Sequence, residues 1–221
     1  MRLWNFREAK ASNKEPPSHL GEPMPKRLLA LCCFVLAATP GFAQAAPLST
    51  AVRTVIDSAK AQTRVTTGYD PSYVRIGYPG GDVKPETGVC ADVIIRAFRK
   101  AGVDLQKDVH EDMARKFTAY PQRWGLKRPD TNIDHRRVPN LMTFFRRAGK
   151  ELPITAQAGD YLPGDVVAWD LGGGITHIGI VSEEREARSG RHWMVHNIGR
   201  GARLEDVLFS WKVIGHYRYF R

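Results

Sequence analysis

The stretch Thr87-Gly88-Val89-Cys90-Ala91-Asp92-Val93-Ile94-Ile95-Arg96 decides how the chain is read. Val93, Ile94, Ala97, Phe98 and Ala101 recur at helical spacing, and Gly102 ends the run. Cys90 lies three and four residues ahead of Val93 and Ile94, so it belongs to the same buried stripe, in the first turn. Free N–H groups there favour an anion. A thiol attacks only as thiolate, and a helix N-terminus with a nearby imidazolium lowers a cysteine pKa from about 8.5 to roughly 3.5–7.5.

Two histidines follow on strand-like runs, His177 in Thr176-His177-Ile178-Gly179-Ile180-Val181 and His196 in Met194-Val195-His196-Asn197. Period-two alternation sends Ile175, His177, Gly179 and Val181 to one sheet face. If the cysteine helix packs across that face, His177 reaches its N-terminus and Gly179 permits the close approach. His192, Met194 and His196 share a face on the neighbouring run, so His196 is expected beside or behind His177. Asn197 is the equal candidate if the register slips by one. Nucleophile, base and orienting group are the three parts of a triad, and general acid–base assistance is worth ~10²–10⁴ in rate. Asp92 is expected to pair with Arg96 at i,i+4, and its charge so near the thiol raises the thiol pKa. His110, His135, His192 and His216 show no informative spacing.

Outward from this core, Ser49 reads as the N-cap of a helix through about Gln62. A turn-rich stretch, Gly68 to Asp82, leads into the cysteine helix. Val109 to Phe117 is expected as a short helix and Pro139 to Ala148 as another. The last third changes period: Asp165–Asp170, Ile175–Ser182, His192–Ile198 and Val213–Phe220 read as strands, the first two joined by Gly172-Gly173-Gly174. Helices followed by an antiparallel meander give an α+β domain with the nucleophile helix packed on a C-terminal sheet.

The front of the chain reads as processing sequence. Lys26-Arg27, the apolar run Leu28–Ala38 and Ala43-Gln44-Ala45 make residues 24–45 a signal peptide, with 1–23 an upstream extension ahead of a start at Met24. Residues 46–221 then form a single domain, periplasmic or secreted. Cys32 and Cys33 leave with the signal, so Cys90 remains without a disulfide partner. The full chain carries a net charge of +10; taking away the six basic and three acidic residues of 1–45 leaves +7. Such a surface favours anionic partners. In an exported protein these are cell-wall polymer or lipid headgroups rather than nucleic acid, and no stable membrane insertion is expected once the signal is gone. No H-E-x-x-H or C-x-x-C spacing calls for a metal, and no cofactor is expected.

Tyr78-x-Gly80-Gly81, Cys90 opening a helix, Gly164-Asp165-Val166-Val167, His177-Ile-Gly-Ile-Val and Val195-His196 together resemble the NlpC-type, papain-like cysteine peptidases of bacterial cell walls. Three stretches are more closely similar to the bacterial family labelled domain of unknown function twelve-eighty-seven: Gly88-Val89-Cys90-x-Asp92-Val93-Ile94-Ile95-Arg96, Asp130-Thr131-Asn132-Ile133-Asp134-His135-Arg136 and Val195-His196-Asn197-Ile198-Gly199. The first resemblance implies a papain-like fold and cleavage of amide bonds in peptidoglycan stem peptides. It also implies an oxyanion role for a tyrosine about twelve residues ahead of the nucleophile, the place of Tyr78. Val89 and Ala91 stand where the NlpC motif has Asp and Ser, and 102–139 is longer than in a minimal domain. Trp124, Arg136 and Arg137 lie in that extra segment and are candidates to line a cleft for an anionic stem peptide. A wall-binding module without hydrolysis, an acyltransferase and a zinc hydrolase are the competing readings.

Overall fold

The computed structural model describes residues 47–221. The extension expected over 1–23 and the signal expected over 24–45 lie outside the described residues. Ser49 caps α1 (Thr50–Gln62), its hydroxyl accepting from the Val52 N–H at 3.4 Å, and the helix buries Val52, Val55, Ile56 and Ala59. The cysteine helix, α2, runs Cys90–Lys100. Cys90 through Ile95, Ala97 and Phe98 are all buried, so α2 is enclosed on nearly every side rather than along one stripe, as befits a helix at the centre of a fold.

The third helix, α3 (Leu105–Arg115), starts four residues earlier than expected because Asp104 caps it through the Gln106 N–H. The last helix, α4 (Val138–Arg147), has a proline in its first turn, where a missing N–H costs nothing.

The sheet has five strands: β1 (Val166–Asp170), β2 (Thr176–Arg185), β3 (His192–Asn197), β4 (Ala202–Glu205) and β5 (Lys212–Tyr217). Their order is β4-β3-β2-β1-β5, antiparallel throughout. The expected meander holds for β1 to β3 and continues into β4, a strand absent from the sequence reading. The chain then crosses back, so that β5 pairs with the free edge of β1. Gly164, at φ 88°, turns the chain into β1 beside α1, and a Cβ there would sit 2.8 Å from Val52 Cγ1.

The two sheet faces carry separate clusters. Val166, Ala168, Ile178, Ile180 and Val195 pack with α2 and the other helices. Val167, Trp169, Val181 and Met194 pack on the far side with Tyr161 and Leu208. Alternation along β2 therefore gives the Thr176, Ile178 and Ile180 face to the helix and sends His177 and Gly179 to the opposite side, the reverse of the sequence expectation. Gly179 does not admit α2. A Cβ there would lie 3.0 Å from Val195 O, 3.1 Å from His196 Cβ and 3.2 Å from Trp169 Cη2, so its bareness makes room for that ring and imidazole. Among the described residues no helix is long and apolar enough to cross a membrane.

Candidate active site

The residues ahead of Cys90 are held by buried polar side chains. Asp92 Oδ2 accepts from the Val89 N–H at 2.6 Å, and Arg136 grips the same carboxylate with Nε on Oδ1 and Nη2 on Oδ2, both at 2.9 Å. This pair replaces the expected Asp92–Arg96 contact: Arg96 instead meets Asp82 at 2.9 Å. A Cβ at Gly88 would come within 2.9 Å of Asp92 Oδ2, which explains glycine there. Asn197 lies on the helix face at the end of β3, and its Nδ2 donates to the carbonyls of Gly68 and Gly88, each at 3.1 Å. Its work is to fasten two loops to the sheet.

The Cys90 thiol is free and buried. The backbone N–H groups of Ile178, Ala91 and Cys90 favour the thiolate, but burial outweighs them and the Asp92 charge adds to it, pushing the thiol up to about 12. The lowered pKa expected from the helix terminus is therefore reversed. A helix end supplies only part of an elementary charge, which is less than the cost of removing a thiolate from water.

Across the sheet His177 and His196 form one hydrogen-bonded chain. His177 Nε2 lies 2.8 Å from His196 Nδ1, and His196 Nε2 lies 3.0 Å from Glu205 Oε2 on β4. The carboxylate only accepts, so His196 carries its proton on Nε2 and accepts at Nδ1. His177 then donates from Nε2, and its Nδ1 keeps a free lone pair. Trp169 stacks on His177 with centroids 5.5 Å apart, and Trp211 meets both imidazoles edge-on. Burial, aided by the neighbouring imidazole, pulls His177 down to about 3. His196 is also lowered by burial, against the pull of Glu205. The resting site thus holds a neutral thiol and a neutral imidazole. Among the described residues no hydrogen bond joins the sulfur to either ring. His177 lies on the face of β2 turned away from α2, and among the described residues neither imidazole lines the cleft over Cys90.

A cleft of about 540 Å³ opens over Cys90. Trp124, Arg136, Arg137 and Thr176 line it, together with Tyr69, Tyr73 and Arg123, which the sequence reading did not single out. Arg136 is spent on Asp92. Arg137 lies 4.1 Å over the Trp124 ring and 3.2 Å from Asp134 Oδ1.

Tyr78 is not at this cleft, and its expected oxyanion role is corrected. Gln106 binds Gly77 O and the Gly81 N–H, each at 2.8 Å, and holds that turn against α3, where Tyr78 meets His110 edge-on at 5.1 Å. Tyr69 lines the cleft instead. Its flanking residues are fastened to the strand of chain just ahead of Cys90, through Gly68 N–H to Glu86 O and Asp70 N–H to Gly88 O. Burial, with the Cys90 and Asp92 charges, raises Tyr69 to about 12 and keeps it a donor. Glu205 carried no local signal beyond the polar–apolar alternation of Ala202-Arg203-Leu204-Glu205. Among the described residues no group of three or more His, Cys, Asp or Glu converges to hold a metal ion.

A cysteine in the first turn of a central helix packed on a five-stranded antiparallel sheet makes an α+β domain. The chain belongs to the family described as a domain of unknown function, DUF1287, which matches residues 56–219. It is 57% identical over 166 residues to YijF of Escherichia coli K12, described as an uncharacterized protein, covering 75% of this chain and 80% of that one. A solved structure of a protein described as similar to a lipoprotein of the NLP/P60 family, from Staphylococcus aureus, aligns at 14% identity with a TM-score of 0.39. That alignment covers 80% of this chain but only 44% of the other.

Proposed function

We propose that this protein is an exported cysteine amidohydrolase that cleaves amide bonds in peptidoglycan stem peptides through a thioester on Cys90. The observation that carries the reading is the free Cys90 thiol in the first turn of α2 beneath an open cleft. On the far face of β2 the Glu205–His196–His177 chain leaves His177 Nδ1 as a free basic nitrogen. A relay fixed by a carboxylate is what a base needs to hold one tautomer.

With thiol and imidazole both neutral at rest, proton transfer accompanies attack instead of preceding it. The reading requires the His177 ring to move from the far face of β2, where Trp169 and Trp211 now cover it, to the thiol when substrate enters and excludes water. The sulfur forms a bond to the amide carbonyl carbon while its proton passes to His177 Nδ1. The tetrahedral oxyanion is met by the Cys90 N–H and the Tyr69 hydroxyl, where one donor is worth ~3–4 kcal/mol. His177 then gives its proton to the departing amine as the C–N bond breaks. Water, deprotonated by His177, cleaves the thioester and restores the thiol. The peptidoglycan assignment and export rest on the sequence resemblance and the signal-like front end. The cationic, aromatic cleft suits an acidic peptide.

A second reading, a wall-binding module that keeps the fold without hydrolysis, is favoured by the thiol being raised to about 12. Purified peptidoglycan incubated with wild-type and Cys90→Ala protein separates the two. Soluble fragments released by the wild type alone support the hydrolase; retention of both proteins on the polymer without release supports the module.

A further inference from the structure

Tyr73 is 55% exposed, yet its hydroxyl is tied on two sides. It donates to Asp130 Oδ2 at 3.1 Å and accepts from Asn132 Nδ2 at 2.9 Å. The 130–136 stretch, which catalysis does not use, is itself pinned from behind. Asp130 Oδ1 takes the Asn132 N–H at 2.8 Å, Asn132 Oδ1 takes the Ile76 N–H at 3.0 Å, and Gln106 Nε2 donates to Thr131 O at 3.0 Å. An aromatic ring left in water but held this firmly is a preformed binding surface, since a ligand meeting it loses little to ordering. It stands between the Cys90 cleft and a second groove of about 750 Å³, and lines both.

Arg75, Lys127 and Arg128 line the second groove. Among the described residues none of the three has an ion-pair partner. Elsewhere on the surface Lys60, Arg146 and Arg191 each find a carboxylate. The one acidic residue on the groove wall, Asp130, is occupied by Tyr73 and Asn132. Unpaired guanidinium groups present a fork that matches carboxylate geometry.

We infer that this groove is a second binding subsite, for an acidic peptide segment whose carboxylates meet Arg75, Lys127 and Arg128 while its chain crosses Tyr73 toward Cys90. The inference deepens the hydrolase reading, and rests on it for the ligand being substrate; the binding itself does not need catalysis.

The test is a fluorescence-anisotropy titration of the full chain carrying Cys90→Ala with a labelled hexaglutamate peptide, inorganic polyphosphate serving as competitor. Saturable binding is expected, weakened about tenfold by Arg75→Glu with Arg128→Glu and weakened again by Tyr73→Ala. Arg188→Glu, in the distant β2–β3 turn, should leave it unchanged. Equal affinity in the double reversal overturns the subsite, and so does an equal loss with Arg188→Glu, which marks charge attraction alone. Stronger capture of polyphosphate than of peptide overturns the acidic-peptide assignment. If wild-type protein releases nothing from peptidoglycan while hexaglutamate binding still depends on Arg75 and Arg128, the hydrolase reading fails and the subsite stands.

Discussion

The two faces of the sheet do different work. On the helix side, Ile178, Ile180, Val166 and Val195 belong to the apolar cluster that holds α2, with each of these side chains fully removed from water. That is worth about 1.5–3 kcal/mol per residue. On the far side a smaller cluster surrounds two buried histidines, with Glu205 at its edge still 39% exposed. One face supplies stability and the other keeps a polar relay dry but connected to solvent at one end. Cys90 belongs to the first and His177 to the second, so the proposed chemistry depends on bringing groups from the two faces together.

Substitutions should separate these roles, starting with the largest effect. His177→Ala is expected to lower kcat/KM on stem peptides by about 10²–10⁴, read by product quantification, with a smaller loss of stability than any helix-face truncation. Arg136→Ala leaves the Asp92 carboxylate buried without its partner and should cost about 3–5 kcal/mol in a urea melt. A double-mutant cycle with Asp92→Asn should recover much of that. Ile180→Ala, on the helix face, should cost about 2–5 kcal/mol with kcat of the folded fraction unchanged; a matching loss of kcat would erase the division between the faces.

Much of this plan was legible in the sequence, and the gaps have physical causes. The helix bounds from Ser49 to Gln62 and from Cys90 onward follow from capping and period, and β1 to β3 from alternation. Alternation separates two faces of β2 but does not say which one meets a helix. The paired isoleucines at 178 and 180 were the better clue, because a buried helix wants the more apolar side. The return of β5 to the β1 edge is a long-range choice without local signal, and β4 is too short and polar to register. The family resemblance pointed to Tyr78, whereas Gln106 holds that turn against α3 and the pairing of 67–70 with 86–88 brings Tyr69 to the cleft. Arg136 lies 44 residues from Asp92, beyond any periodic pattern.

Two smaller effects sharpen the contrast through pH. His177 and His135 titrate near about 3 and about 4 when folded, against about 6.5 in the unfolded chain. Between these values the unfolded chain takes up protons that the folded protein refuses, so stability present above pH 6.5 is lost as pH falls. Glutamine at either position should flatten the acid limb of a pH-dependent melt. Cys90 acts at the other end: its thiol stays neutral when folded up to about 12, against an ordinary value of 9.0. Stability should fall as pH rises through that window, and Cys90→Ser should remove part of the fall. By the same reasoning iodoacetamide should label native Cys90 more slowly than free cysteine at pH 8. Faster labelling would mean an activated thiol and a different resting state. Smallest of all, Glu205→Gln should lower turnover by about tenfold without moving the urea midpoint, because Glu205 sits at the exposed end of the relay.

The most direct test is intact-protein mass spectrometry of samples quenched in acid during incubation with purified stem peptide. A mass increase equal to the acyl half of the peptide, mapped to Cys90 and absent from His177→Ala, is the predicted result. Fragment release by protein that never carries an adduct, or equal acylation in His177→Ala, would contradict a thioester formed with the help of the far-face imidazole.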